Sequence, residues 1–305
     1  MHYKFLARRY VTGVPVSTVD RRVKEVAVRR IAGAAERADS DALAAEEPLE
    51  IRVDGRSIAV VMRTHGEDRE LAAGFLSTEG MARSANDIID VVCGLHCLAP
   101  GADPAQAPAN VADVRLSRPD SVDFTRLTRH VFSSSSCGVC SKASIDAIRQ
   151  QFPAIESDVA IDARLLSGLP AALASAQPTF QRTGGLHACA LFDETGNMLA
   201  VREDVGRHNA LDKLVGWALL ADRLPLSRCI LLLSGRASFE MMQKALAAGI
   251  PIVAAISAPS SMAVEFARES GQTLVGFLRG EKMNVYAGAE RVRRNLHSTG
   301  ALYEQ

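Results

Sequence analysis

The chain has 305 residues, 48% hydrophobic and 23% charged, with 35 basic and 35 acidic side chains and a formal net charge of +0. That length accommodates two domains with sizeable cores, and the balanced charge sets up no global field for nucleic acid or an anionic membrane, so an anionic ligand must be held by a local pocket. Residues 1–11 are basic but lack an apolar stretch long enough for a secretory or spanning segment, and six cysteines in so long a chain fit reactive thiols in the reducing cytoplasm better than a disulfide framework.

In chain order, residues 1–40 give no clear reading. Residues 41–132 read as a small β-rich α+β domain. Within it, residues 49–53 and 57–62 flank Asp54-Gly55, a hairpin signal. Residues 70–76 have helical spacing, with Leu71, Phe75 and Leu76 on one stripe. An apolar run at 88–92 leads to Cys93 and Cys97, a Pro- and Ala-rich surface loop covers 99–108, and residues 110–116 alternate as a strand. A short helical pattern covers 124–131, and residues 133–144 form a serine-rich loop.

Residues 145–305 read as a three-layer α/β/α domain. Helices are expected over 142–152, 163–176, 207–221, 239–248 and 261–268. Strands are expected over 186–192, 198–202, 230–233, 252–256 and 273–278. Strands alternating with helices imply parallel pairing.

The serine-rich loop holds Cys137-Gly138-Val139-Cys140 behind Ser133 to Ser136. Two thiols at this spacing have three chemical readings. As half of a zinc site, the pair needs Cys93 and Cys97 to complete a tetrahedron. As a thioredoxin-type couple, it needs a buried strand immediately before it, where the sequence has Phe132 and serines. As a persulfide carrier, it needs an accessible loop and a low thiol pKa, which Gly138, Lys142 and a following helix N-terminus favour. The bland alternative is two cysteines packed as small hydrophobes, against which the polar serine run argues.

Ligands of open α/β sheets gather beyond the carboxyl ends of the strands. Two such ends carry Ser234-Gly235-Arg236-Ala237-Ser238 and Ser257-Ala258-Pro259-Ser260-Ser261, each feeding a helix whose free amides suit a phosphate. Either loop alone also reads as an ordinary helix cap. Two further polar clusters stand out. His187 follows Gly184-Gly185-Leu186, where a core histidine is the competing reading. Arg202-Glu203-Asp204-Val205-Gly206-Arg207-His208-Asn209, continued by Asp212 and Lys213, reads as ligand donors more readily than as a solvated helix start.

With these blocks in view, and with Glu46-Glu47-Pro48-Leu49-Glu50-Ile51, Met62-Arg63-Thr64, Glu70-Leu71-Ala72-Ala73-Gly74-Phe75-Leu76 and Gly276-Phe277-Leu278-Arg279, the sequence resembles the formate dehydrogenase accessory sulfurtransferases, the FdhD family. The likeness runs from about residue 40 to the C-terminus. It implies a cytoplasmic homodimer that accepts persulfide sulfur from a cysteine desulfurase and delivers it to the bis-guanine-dinucleotide molybdenum cofactor for the formate dehydrogenase catalytic subunit. By the same likeness the persulfide falls on Cys137, with Cys140 auxiliary, and the cofactor-binding segment on Phe277, Leu278, Arg279, Gly280, Glu281 and Lys282. A cytidine-deaminase-like α/β/α second domain is also implied. The residues themselves add Ser234, Gly235, Arg236, Ser257, His187, Arg207 and His208 as candidates for the cofactor's phosphates, and no resident metal is expected.

Two rivals remain. In a zinc deaminase, His187-Ala188-Cys189 would stand for His-x-Glu, but the general acid/base Glu is missing and no Pro-Cys-x-x-Cys follows. In a zinc-stabilised interaction protein, Cys93, Cys97, Cys137 and Cys140 would be the ligands.

Overall fold

The computed structural model describes residues 20–94, 110–118 and 152–294. Cys97, Cys137, Cys140, the 99–108 loop, the helical pattern at 124–131 and the helix expected over 142–151 lie outside the described residues.

The N-terminal unit is built on a hairpin of β3 (Glu47–Val53) and β4 (Arg56–Arg63). Its turn needs two residues at positive φ, and Asp54 (φ 47) with Gly55 (φ 79) supplies them, as the sequence signal requires. β5 (Ile88–Cys93) and β6 (Val111–Leu116) complete a sheet in the order β4-β3-β6-β5, with β3 and β6 parallel. Leu49, Ile51 and Val53 alternate onto one face and are fully buried. Against that face lies α1 (Asp68–Thr78), whose Leu71, Ala72 and Leu76 share the core with Val91 and Val114.

The C-terminal unit centres on a six-stranded sheet in the order β13-β12-β11-β10-β8-β9. In chain order it comprises β7 (Ile161–Asp162), α2 (Ala163–Ser175), α3 (Pro178–Thr183), β8 (His187–Asp193), β9 (Met198–Asp204), α4 (Arg207–Leu220) and β10 (Cys229–Leu233). There follow α5 (Phe239–Ala247), β11 (Ile252–Ala255), α6 (Ser261–Glu269), β12 (Thr273–Arg279), β13 (Lys282–Ala287) and β14 (Val292–Arg293). Leu214, Met242 and Phe266 of α4, α5 and α6 pack with Leu191, Leu231 and Val253 on one face of the sheet. Leu166, Leu169 and Leu173 of α2 pack with Phe192, Leu232 and Ile252 on the other.

Pairing departs from the all-parallel expectation. β10, β11 and β12 are mutually parallel, whereas β8, β9 and β13 run antiparallel to their neighbours. The cause is connection length. The turns after Asp193 and Arg279 are too short for a crossover, so the strands they join can only fold back on each other. β13 itself is an addition to the sequence reading.

Residues 23–44, most of them in the 1–40 stretch that gave no clear reading and the last four at the expected start of the β-rich domain, form a long hairpin of β1 (Val23–Ala32) and β2 (Ala35–Ala44) that stands as a two-stranded sheet of its own.

The two units meet at a helix crossing with no side-chain spacer. A Cβ on Gly74 of α1 would lie 1.7 Å from the Asp212 carbonyl oxygen of α4, and one on Gly216 of α4 would lie 1.8 Å from the Glu70 carbonyl oxygen of α1. Only glycine lets the two backbones touch here. Beside the crossing, Arg202 makes a two-bond pair with Glu70 (Nη2 to Oε1 2.8 Å), and Lys244 Nζ donates to both Asp212 oxygens (2.8 and 2.9 Å) and to Thr78 Oγ1 (2.8 Å).

Candidate functional site

The six-stranded sheet collects its polar loops along one edge. β10 and β11 end at Leu233 and Ala255, and the loops that follow lie side by side. Ala237 and Pro259 form a parallel bridge, the Ala237 N–H donates to Ala258 O (3.2 Å), and the Ser260 N–H donates to Ala237 O (2.9 Å). β12 runs on into the same region, where the Phe277 N–H donates to Ser257 O (3.0 Å) and Arg279 Nε to Ile256 O (3.2 Å).

Because β8 is antiparallel to β10, its beginning reaches this edge too. The Ala188 N–H donates to Ser234 Oγ (2.9 Å), and a Cβ on Gly235 would stand 3.3 Å from His187 Nδ1. β9 ends beside it, with Asp204 across from His187, and turns at once into α4, which has Arg207 at its first position. Thus His187, Arg207, the 234–238 and 256–260 loops and the end of β12 share one rim.

Their side chains differ in what they offer. Phe277 sits at φ 52 and is 40% exposed, while Leu278 is fully buried in the core beneath the sheet. Arg236, Arg279, Gly280, Glu281 and Lys282 are exposed, the last four at the β12–β13 turn. Among the described residues, Arg207 Nε and Ser238 Oγ are buried atoms with no hydrogen-bond partner. Buried donors of this kind are costly unless something outside the chain meets them. His208, by contrast, is 3% exposed and lies within the base of α4. Burial, followed by the nearby Arg207 charge, holds the His187 imidazole below its ordinary pKa, with Asp204 opposing.

Much of the 202–213 run works internally, contrary to its reading as ligand donors. Asp204 is fully buried and accepts from four donors: the Gly206 N–H (2.8 Å) and Asn209 Nδ2 (2.9 Å) at one oxygen, the Thr64 N–H (3.1 Å) and Lys213 Nζ (2.9 Å) at the other. Asn209 also donates to Met62 O (2.7 Å), and Lys213 to Thr64 O (3.0 Å). This knot ties the β4–α1 loop of the N-terminal unit to the turn that carries Arg207. Thr64 was missed as a site-building residue because the sequence separates it from Asp204 and Lys213 by well over a hundred positions.

Of the cysteines, Cys189 is buried under this rim, with its thiol pushed far up by burial, and Cys229 is pushed up to about 11 by burial. Neither is a ready thiolate at neutral pH. Of the four cysteines in the zinc reading, only Cys93 is described, and among the described residues no cluster of three or more His, Cys, Asp or Glu is placed to hold a metal.

The FdhD/NarQ family model matches residues 44–293, most of the chain. The chain belongs to the FdhD/NarQ family. FdhD relatives are similar across nearly their whole length. A protein of Streptomyces avermitilis named Sulfur carrier protein FdhD is 53% identical over 255 residues, covering 83% of this chain and 89% of its own. One of that name from Mycobacterium tuberculosis is 49% identical over 282 residues, covering 90% and 99%. A solved structure from Desulfotalea psychrophila, described as a formate dehydrogenase accessory protein, shares the fold at a TM-score of 0.68 and 24% identity, covering 89% of this chain and 99% of that one. Among the described residues no helix is long and apolar enough to cross a membrane.

Proposed function

We propose that this protein is a sulfur carrier of formate dehydrogenase maturation, a sulfurtransferase working by persulfide relay. It takes persulfide sulfur from a cysteine desulfurase onto Cys137, with Cys140 assisting, and passes it to a bis-guanine-dinucleotide molybdenum cofactor destined for the formate dehydrogenase catalytic subunit. In this reading the cofactor is the acceptor substrate, the protein works in the cytoplasm as a homodimer, and its C-terminal unit is cytidine-deaminase-like.

The observation that carries the proposal is the shared rim, in a family whose members bear the name sulfur carrier. A guanine dinucleotide brings several phosphates, and the rim offers Arg207, Arg236, Arg279 and Lys282, the hydroxyls of Ser238 and Ser257, and the N-termini of α5 and α6. Phe277 presents an exposed aromatic face beside them, suited to a purine. Gly235 leaves room next to His187 that a side chain would fill.

The test is Cys137→Ala in cells that depend on the protein for formate dehydrogenase. The variant keeps the wild-type circular dichroism spectrum and melting temperature, and formate dehydrogenase activity falls to the level of the deletion strain. Full activity with Cys137→Ala ends the proposal.

A further inference from the structure

Arg207 opens α4 with a buried Nε that has no hydrogen-bond partner among the described residues, although several carboxylates lie around the rim. Each of those carboxylates is already engaged. Glu203 accepts from the Thr179 and Phe180 N–H groups at the start of α3 (3.1 and 2.8 Å), and Glu70 is taken by Arg202. At the root of the β1–β2 arm, where Ala44 lies against Gly185, Asp20 is held by Arg22 (3.1 Å) and Arg182 (2.9 Å).

Asp204 is the decisive one, three residues before Arg207 in the chain. Both charges act on the His187 ring, so the two groups are neighbours around one imidazole. Asp204 nevertheless takes Lys213 as its ionic partner (2.9 Å), in a pair that is fully buried. A carboxylate has room for about four donors. Asp204 receives the Gly206 N–H and Asn209 Nδ2 at one oxygen and the Thr64 N–H and Lys213 Nζ at the other. The carboxylate is full, and Arg207 is left over. Glycine at 206 belongs to the arrangement, because a Cβ there would stand 2.8 Å from the Asn209 amide nitrogen.

Two of the four donors depend on the N-terminal unit. The Thr64 amide does so directly. Lys213 does so through its ammonium group, which also donates to Thr64 O (3.0 Å) and Glu203 O (3.4 Å) and lies 3.6 Å from Glu67. Without that ammonium group Asp204 would be a buried charge short of its counter-ion, a strongly unfavourable state. Arg207, beside the same histidine, is the cation at hand to relieve it.

We propose that Thr64, Asp204 and Lys213 are positioning residues for the rim, and that their role is to keep Arg207 unpaired. Lys213 and the Thr64 amide saturate Asp204, which withholds the Arg207 guanidinium from an internal ion pair and leaves it available to an anionic ligand. Anion affinity at the sheet edge is thereby set from the N-terminal unit, by groups that never touch the ligand. The inference rests on the reading of the rim as an anion site and adds what controls its charge.

Calorimetric titration of the full chain with guanosine 5′-diphosphate tests it, with melting temperatures to show that each variant is folded. Arg207→Met sets the scale, with a dissociation constant expected to rise by about tenfold or more. Lys213→Met keeps Arg207 but frees Asp204 to pair with it, and loses a comparable factor. Asp204→Asn added to Lys213→Met removes the competing carboxylate, and affinity returns to within about threefold of the wild type. A merely structural role gives the opposite order, since the double variant has lost more of the knot than the single one. Lys213→Met at wild-type affinity overturns the proposal, and so does a double variant as weak as Lys213→Met. Should Lys213→Met not fold, Asn209→Ala takes its place, because it also opens a donor position on Asp204. A loss of about threefold, again reversed by Asp204→Asn, is then expected, and an unchanged affinity overturns the proposal. A wild type that binds no diphosphate overturns the reading of the rim itself, and the inference with it.

Discussion

His187 shows how a single side chain reports on the rim. Its pKa is lowered first by burial and then by Arg207, so the folded protein favours the neutral imidazole more than the unfolded chain does. At pH well above 6.5 both states are neutral at this position and it contributes no pH dependence. As pH falls through 6.5 the unfolded chain takes up the proton first, and stability is lost until the lower folded-state pKa is passed. In urea unfolding from pH 8 to 5.5, the wild type therefore loses stability relative to His187→Gln as the medium becomes acidic. Parallel curves for the two proteins would contradict the burial of the His187 ring at the rim.

The same residue marks the limit of what the sequence discloses locally. The double glycine before His187 reads as a place of close backbone approach, but the glycine that stands against the ring is Gly235, while a Cβ on Gly184 would meet nothing within 4 Å. Asn209 and Lys213 were not readable in their actual role, because Met62 and Thr64, which they hold, come from the other unit of the protein. Arg207, two residues before Asn209, keeps an unpartnered Nε at the rim. Local sequence cannot separate a donor aimed at a ligand from one aimed at a distant loop.

At the level of elements, α1 and α4 are the joint on which the rim depends, since α4 begins at Arg207 and α1 follows the loop that holds Asp204. Gly74→Ala places a methyl 1.7 Å from a backbone oxygen that has no flexible side chain to yield. The loss expected is roughly 3 kcal/mol or more, read as a lower urea midpoint. Gly168 of α2, where an added Cβ meets nothing within 4 Å, is the control. Gly168→Ala is expected to gain about 0.5–1 kcal/mol through helix propensity alone. Equal effects at the two positions would contradict the backbone contact.

The elements that sequence reveals are those that bury something. Leu49, Ile51 and Val53 alternate because one face of β3 is core, and Asp54-Gly55 is readable because its turn needs positive φ. β1 and β2 bury almost nothing of their own, so residues 23–44 carry no comparable pattern. The direction of β8, a strand expected from the sequence, and the added strand β13 escape for another reason. Strand periodicity records which face is buried and not the direction of the neighbour, and only the short turns after Asp193 and Arg279 fix that direction.

At the scale of the whole molecule, the parts form one arrangement. One sheet edge gathers basic and hydroxyl side chains. A knot around Asp204 locks the N-terminal unit to that edge, and a hairpin arm is rooted beside it. Cys189 and Cys229 are both buried, and burial pushes both thiols up from their ordinary pKa. Under the proposed function the sulfur is carried by Cys137, with Cys140 assisting. The most direct measurement is mass spectrometry of the intact protein and its peptides after incubation with a cysteine desulfurase and cysteine. The account predicts one additional sulfur, removable by reductant, on the peptide that holds Cys137, and none with Cys137→Ala. A Cys137 peptide that never gains sulfur in the presence of active desulfurase would contradict it.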